Sequence, residues 1–156
     1  MELVLSLLVE DHEKFKKILN EIMEYIKDFD REPETPKEKF NIIKNMVFTL
    51  HKFTILTHTF ENHIELRNLI LTPILIENNL ENQNNELQKH QENIVMLLKS
   101  IRETFSSFIN RETSSIRETA LITLRKFIKV HNAFNEFIQC EKKVLEEIKA
   151  KRQVFS

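Results

Sequence analysis

The chain has 156 residues, 41% of them hydrophobic and 30% charged, which fits one globular domain (residues 1–156) and excludes a disordered chain. Glycine is absent, where ordinary usage of about 7% would supply roughly eleven, so neither a P-loop, a Rossmann turn nor a G-x-S-x-G nucleophile elbow can be built. Lys and Arg number 23 against 24 Asp and Glu, a formal net charge of −1 that gives nucleic acid no electrostatic footprint.

Chain order then sets the elements. Met1 to Val9 is apolar but carries Glu2 and runs into Glu10-Asp11-His12-Glu13, which is not the pattern of a signal peptide. Leu5, Leu8, Phe15, Leu19, Ile22 and Ile26 recur at helical spacing and predict a first helix over 2–29. The segment 30–36 holds two of the three prolines, and Thr35, Pro36 and Glu38 form a capping box that opens a second helix over 37–77. Pro73 predicts a kink or an early end of that helix near 72–76.

An Asn-rich stretch at 78–85 supplies the left-handed turn that glycine would otherwise make. A third helix follows over 84–109, with Leu87, Ile94, Leu97, Ile101, Phe105 and Phe108 on its apolar face. Caps within 110–115, Ser115 and Glu118 among them, open a fourth over 114–150. Short connections make neighbours antiparallel, so the expected fold is all-α, an up-down-up-down four-helix bundle. No apolar run nears the ~18 residues of a membrane span, and the one cysteine, Cys140, closes no intramolecular disulfide. A cytoplasmic protein without membrane contact is expected. The basic residues near the end (Lys142, Lys143, Lys149, Lys151, Arg152) are interleaved with Glu141, Glu146 and Glu147 and read as a solvated helix terminus.

Six histidines fall inside predicted helices. Residues at ±3, ±4 and ±7 share a helix face, and on that basis His12, His63, His90 and His131 have apolar company, one per helix. His58 sits among Thr54, Glu61, Asn62 and Glu65, and His51 has a mixed setting. Counting outward from the turns at about 1.5 Å per residue puts His90 and His131 level about Arg111, with His63 near them and His58 the alternative partner for His12. One inward histidine alone is an ordinary hydrogen-bonded core residue. Four together would desolvate four polar rings, and imidazole is the commonest metal ligand of its kind, so a metal site in the bundle interior is expected.

The segment His63-Ile64-Glu65-Leu66-Arg67-Asn68-Leu69-Ile70-Leu71-Thr72-Pro73 is similar to the second-helix motif His-Ile-x-x-Glu-x-x-x-Leu-Phe-Pro of the haemerythrin-like family, also called HHE cation-binding domains. Glu10-Asp11-His12 and Leu87-Gln88-Lys89-His90 resemble that family's first-helix and third-helix histidine segments. The resemblance covers nearly the whole chain. It implies a four-helix bundle with a non-haem di-iron centre that binds O2 or NO, or senses or handles iron, with His12, His63, His90 and His131 as ligands. Two departures bear on that centre. The bridging Glu expected four residues after His63 is Arg67, and the same offset from His131 gives Asn135. Candidate substitute metal ligands are Glu136, five residues after His131, and Glu86, one turn before His90, with His58 the alternative histidine of the second helix and Glu61 three residues after it.

Arg67 is therefore expected either to pair with Glu86 or Glu136 or to swing to the surface, because an unpaired buried guanidinium costs several kcal/mol. With a cation and an amide in place of two bridging anions, iron is expected at no more than one ion per chain, or none. The alternative is a bundle that has lost its metal and acts as a protein-interaction or regulatory module, as a homodimer or with another protein. A ferritin-type oxidase would need Glu-x-x-His, which none of the six histidines has, and the zincin spacing after His12 also fails. No catalytic residue stands out, and the chain is not expected to be an enzyme.

Overall fold

The computed structural model describes residues 2–110 and 115–155, with side chains apart from those of residues 4 and 152–155. The described residues form a helical bundle and no strand: α1 (Glu2–Ile26), α2 (Pro36–Leu66), a π-helical turn (Arg67–Leu71), α3 (Thr72–Glu77), α4 (Glu81–Ile109) and α5 (Ile116–Phe155). α2, the π turn and α3 run on as one rod, so four long helical segments build the bundle. Among the described residues no helix is long and apolar enough to cross a membrane.

Local chemistry fixes the ends. The Thr35 hydroxyl accepts from the Glu38 N–H at 3.1 Å, and Pro36 needs no partner at the first helical position. The Glu38 carboxylate reaches back to the Glu34 N–H at 2.8 Å, one residue earlier than an ideal capping box. Ser115 caps α5 in the same way through the Glu118 N–H. The predicted break residues 111–114 lie outside the described residues. At the end of α3, Asn79 takes φ 59°, the N–H of Leu80 bonds the Leu75 carbonyl at 2.8 Å, and that of Asn79 bonds Ile76 at 3.2 Å. This is a Schellman closure with asparagine doing the work of glycine, and buried Leu80 supplies its hydrophobic contact.

The adjustment expected near Pro73 falls upstream of the predicted place. The helix continues to Glu77, and the π turn immediately before the proline takes up the mismatch, its Thr72 N–H reaching back five residues to the Arg67 carbonyl. A proline N–H is missing and its ring crowds the preceding turn, so widening that turn relieves both.

Three-four spacing runs through the core, with Ile18 on α1 and Thr119, Ala133, Ile138 and Leu145 on α5 buried beside that seam. The seam positions are Leu5, Leu8, His12, Phe15, Leu19, Ile22 and Ile26 on α1, and Ile42, Met46, Thr49, Phe53, Leu56, Phe60 and His63 on α2, continuing into Arg67. On α4 they are Leu87, Gln91, Ile94, Leu98, Ile101 and Phe105, and on α5 Ala120, Thr123, Phe127, Val130, Phe134, Phe137, Glu141, Val144 and Ile148. Alternation of three and four is the seam of helices packed at shallow angles. Thr49 and Thr123 in that seam bond their own helix carbonyls, at Asn45 and Thr119. His12, His63, Arg67, Gln91 and Glu141 have no such local solution and must satisfy one another.

Candidate metal centre in the helical core

Glu141 of α5 stands at the focus. Its Oε1 accepts from His12 Nε2 at 2.8 Å and from His63 Nε2 at 2.7 Å, and all three side chains are fully buried. The two imidazole centroids lie 5.7 Å apart. Behind His63, its Nδ1 donates to Asp11 Oδ2 at 2.8 Å. Phe15 and Phe137 close on the His63 ring edge-on, at 5.3 and 5.7 Å between centroids, and Phe60 and Phe134 complete an aromatic floor.

A carboxylate only accepts hydrogen bonds, so an imidazole with a carboxylate on each nitrogen carries two protons. His63 is therefore the imidazolium in this arrangement. Burial works to lower its pKa, but Glu141 and Asp11 together outweigh burial and hold it above the ordinary histidine value. Burial likewise works to raise the Glu141 pKa, and the bonds from His12 and His63 overcome it, holding the carboxyl below its ordinary range. Two buried atoms in the cluster have no hydrogen-bond partner, His12 Nδ1 and Glu141 Oε2.

Arg67 is also buried, only 1% exposed. One of its terminal nitrogens donates to Gln88 Oε1 at 3.0 Å and to Gln91 Oε1, while Nε and the other terminal nitrogen have no partner. Burial pulls its pKa down and the nearby Glu141 charge opposes that pull. Neither predicted outcome for Arg67 holds: it is neither paired with Glu86 or Glu136 nor at the surface, since both glutamates are exposed and two glutamines of α4 take their place. Its position four residues after His63 continues the α2 seam and leaves it no route outward.

The convergence of four imidazoles is corrected to two. His12 and His63 meet; His90 and His131 lie outside their cluster, because the seam positions are Gln91 and Val130, one residue away in each case. A one-residue offset turns a helical side chain about 100°, onto the flank of the core. His131 is half-buried against Phe127, with Asn135 at 3.3 Å, and His90 is half-buried beside Glu86 and Cys140. His58 is exposed, with Glu61 at 3.5 Å, and Glu136 is exposed on α5. Glu141 and Asp11 are the functional residues that face-by-face reading of the histidines missed. Glu141 has Phe134, Phe137, Ile138, Val144, Leu145 and Ile148 at ±7, ±4 and ±3, so the test applied to the histidines finds it when applied to carboxylates.

Among the described residues His12, His63 and Glu141 form one of two groups whose donor atoms lie within 4.8 Å of one another, the spread a single ion can draw together. Two imidazoles and one carboxylate are the donor set of mononuclear non-haem iron sites, and Asp11 holds the far nitrogen of His63 as a supporting carboxylate commonly does for a metal-bound histidine. The unpartnered Glu141 Oε2 supplies a further acceptor. Arg67, buried one turn beyond His63, brings a positive charge near Glu141. No protein-family model, curated protein or solved structure matches this chain.

Proposed function

We propose that this chain is a haemerythrin-like metal-binding protein, an up-down-up-down antiparallel bundle whose metal site has contracted to one ion. The antiparallel reading is supported by contacts that run in opposite senses along α1 and α2: His12 with His63, Phe15 with Phe60, Glu21 with Lys52 and Tyr25 with Phe48. Contacts of Gln83 with Glu147 and of Thr104 with Lys126 do the same for α4 and α5.

The observation that carries the functional reading is the aim of two Nε2 atoms from different helices at one buried carboxylate oxygen. His12, His63 and Glu141 would hold the ion, non-haem iron first, and Asp11 would keep the Nδ1 proton of His63 in place. Iron on two imidazoles and one carboxylate keeps coordination positions open to a small ligand such as O2 or NO. Arg67 would supply one of the positive charges that a second ion brings in the resembling family, and the phenylalanine floor would keep bulk water from the buried face. Binding requires His63 to give up its Nε2 proton and His12 to move its own to Nδ1, which has no acceptor. Affinity is therefore weaker than that of a fully supported site and falls with acid.

One observation favours the alternative of a metal-free interaction or regulatory bundle. Without an ion the charges already balance, Glu141 and Asp11 against His63 and Arg67. Anaerobic reconstitution with Fe(II), removal of loose metal, exposure to air and measurement of iron per chain separates the readings. One iron per chain without oxo-bridge absorption, lost in Glu141→Ala, is expected. Two irons with that absorption would restore the di-iron reading, and none would leave the metal-free one. Gain of the second iron only in Arg67→Glu with Asn135→Glu would identify those two positions as what was lost.

A further inference from the structure

The second group of convergent donors lies outside the core, in the groove between α4 and α5. Glu86, His90 and Cys140 each offer one donor atom, and these atoms lie within 4.8 Å of one another. Glu86 and His90 stand one turn apart on the same face of α4, and Cys140 comes across from α5. Cys140 precedes Glu141, so the side chain next to the buried carboxylate points about 100° away from it, out of the seam. His90 and Cys140 are half-buried and Glu86 is exposed, which leaves the donors reachable from solvent yet partly fixed. A cleft of about 230 Å³ opens beside them, lined by Glu86, Cys140, Lys143 and Glu147 among others.

We propose that Glu86, His90 and Cys140 form a surface metal site, separate from the core cluster, that takes one Zn²⁺-class ion. One thiolate, one imidazole and one carboxylate are the three donor types zinc uses, and three protein ligands with a fourth position open is the form of an accessible zinc site. The thiolate selects a borderline-soft ion over Mg²⁺ or Ca²⁺. Tetrahedral zinc holds its ligand atoms roughly 3.5 Å apart, so closure asks for about 1 Å of movement, which the exposed Glu86 side chain provides. On binding, the thiol proton leaves to solvent and no electron is transferred. Glu86 and the thiolate then neutralise the ion. Glu147 bonds Gln83 at 3.2 Å and offsets the Lys143 charge in the same cleft.

Cys140 is the one cysteine of the chain, so a sulfur-to-metal charge-transfer band reports this site alone; the core cluster offers only nitrogen and oxygen. The test is titration of the reduced, metal-free full chain with Co²⁺ under argon. A near-ultraviolet thiolate-to-cobalt band that saturates and is bleached by Zn²⁺ is expected. Cys140→Ser should abolish it, His90→Ala should weaken Co²⁺ at least tenfold by that band, and His12→Ala should leave it in place. Absence of the band from the wild-type chain would overturn the proposal. So would a band of unchanged affinity in His90→Ala, the mark of a bare thiol adduct, or its loss in a His12→Ala protein of wild-type circular dichroism.

Discussion

Two adjoining layers of the same core are held by different physics. The phenylalanine layer packs Phe15, Phe60 and Phe134 in tilted and edge-to-face contacts, with centroids 5.2 to 5.7 Å apart, and asks for nothing but exclusion of water. One seam step from Phe15 and Phe60 and two from Phe134, His12, His63 and Glu141 occupy the same kinds of position and the same depth, yet hold together by protons and charge. Burial stabilises the first layer and opposes the second, where each ionised group is tolerated because its neighbours compensate it. Equal depth therefore does not mean equal behaviour: the stability of the polar layer depends on pH, and that of the aromatic layer does not.

Substitution exposes the difference most strongly. Glu141→Ala leaves an imidazolium and a guanidinium buried without their anion and should cost about 3–5 kcal/mol. Phe60→Ala should cost a similar ~3–5 kcal/mol through its cavity. Denaturant unfolding across pH tells them apart, since Phe60→Ala should track the wild-type profile at a lower level while Glu141→Ala flattens it. Parallel curves for both variants would remove the distinction between the layers.

The wild-type profile in the presence of chelator follows from the two shifts. The folded pKa of Glu141 is lowered from 4.5, so its contribution is complete above that pH and is lost as pH falls through the folded value. The folded pKa of His63 is raised from 6.5, so its contribution is complete below that pH and declines as pH rises through the folded value. Stability should be greatest between those limits, and a profile still rising above pH 7 would contradict the assignment of His63.

A smaller effect is expected at Arg67, which lacks partners on two of its three nitrogens. Arg67→Met should change stability by less than about 2 kcal/mol, because the lost attraction to Glu141 is offset by relief of a poorly satisfied buried cation. The same variant should tighten Fe(II) binding on the order of tenfold by removing a unit of repulsion from a site of low dielectric. Weaker binding would mean that the guanidinium supports the ion. Smallest of all, His58→Ala should stay within about 0.5 kcal/mol of wild type, because its pairing with Glu61 is exposed.

Much of the fold was legible because helices announce themselves through periodicity and caps: Thr35, Ser115 and Asn79 all act where the residues predicted. The site was half legible. His12 and His63 were found from their apolar neighbourhoods, but ±3, ±4 and ±7 describe a face broad enough to include His90 and His131, which flank the seam. The narrower three-four register separates them, since it runs through Gln91 and Val130 and picks out Glu141 and Arg67 instead. Glu141 was hidden by its surroundings in sequence, a charged stretch of lysines and glutamates near the chain end, although its helical neighbours are all apolar. Asp11 and the glutamines facing Arg67 depend on how α1, α2 and α4 come together, which no single helix encodes.

The most direct measurement is imidazole ¹⁵N NMR of the Cys140→Ser chain in chelator and then with Zn²⁺, so that the core cluster alone responds. Without metal at neutral pH, His63 should show both nitrogens protonated. Zn²⁺ should remove the Nε2 proton of His63 and shift Nε2 of His12 with the same titration, leaving His58 and His131 unchanged. A neutral His63 in the metal-free protein, or a Zn²⁺ response at His131 in place of His12 and His63, would contradict the assignment of the buried cluster as the metal centre.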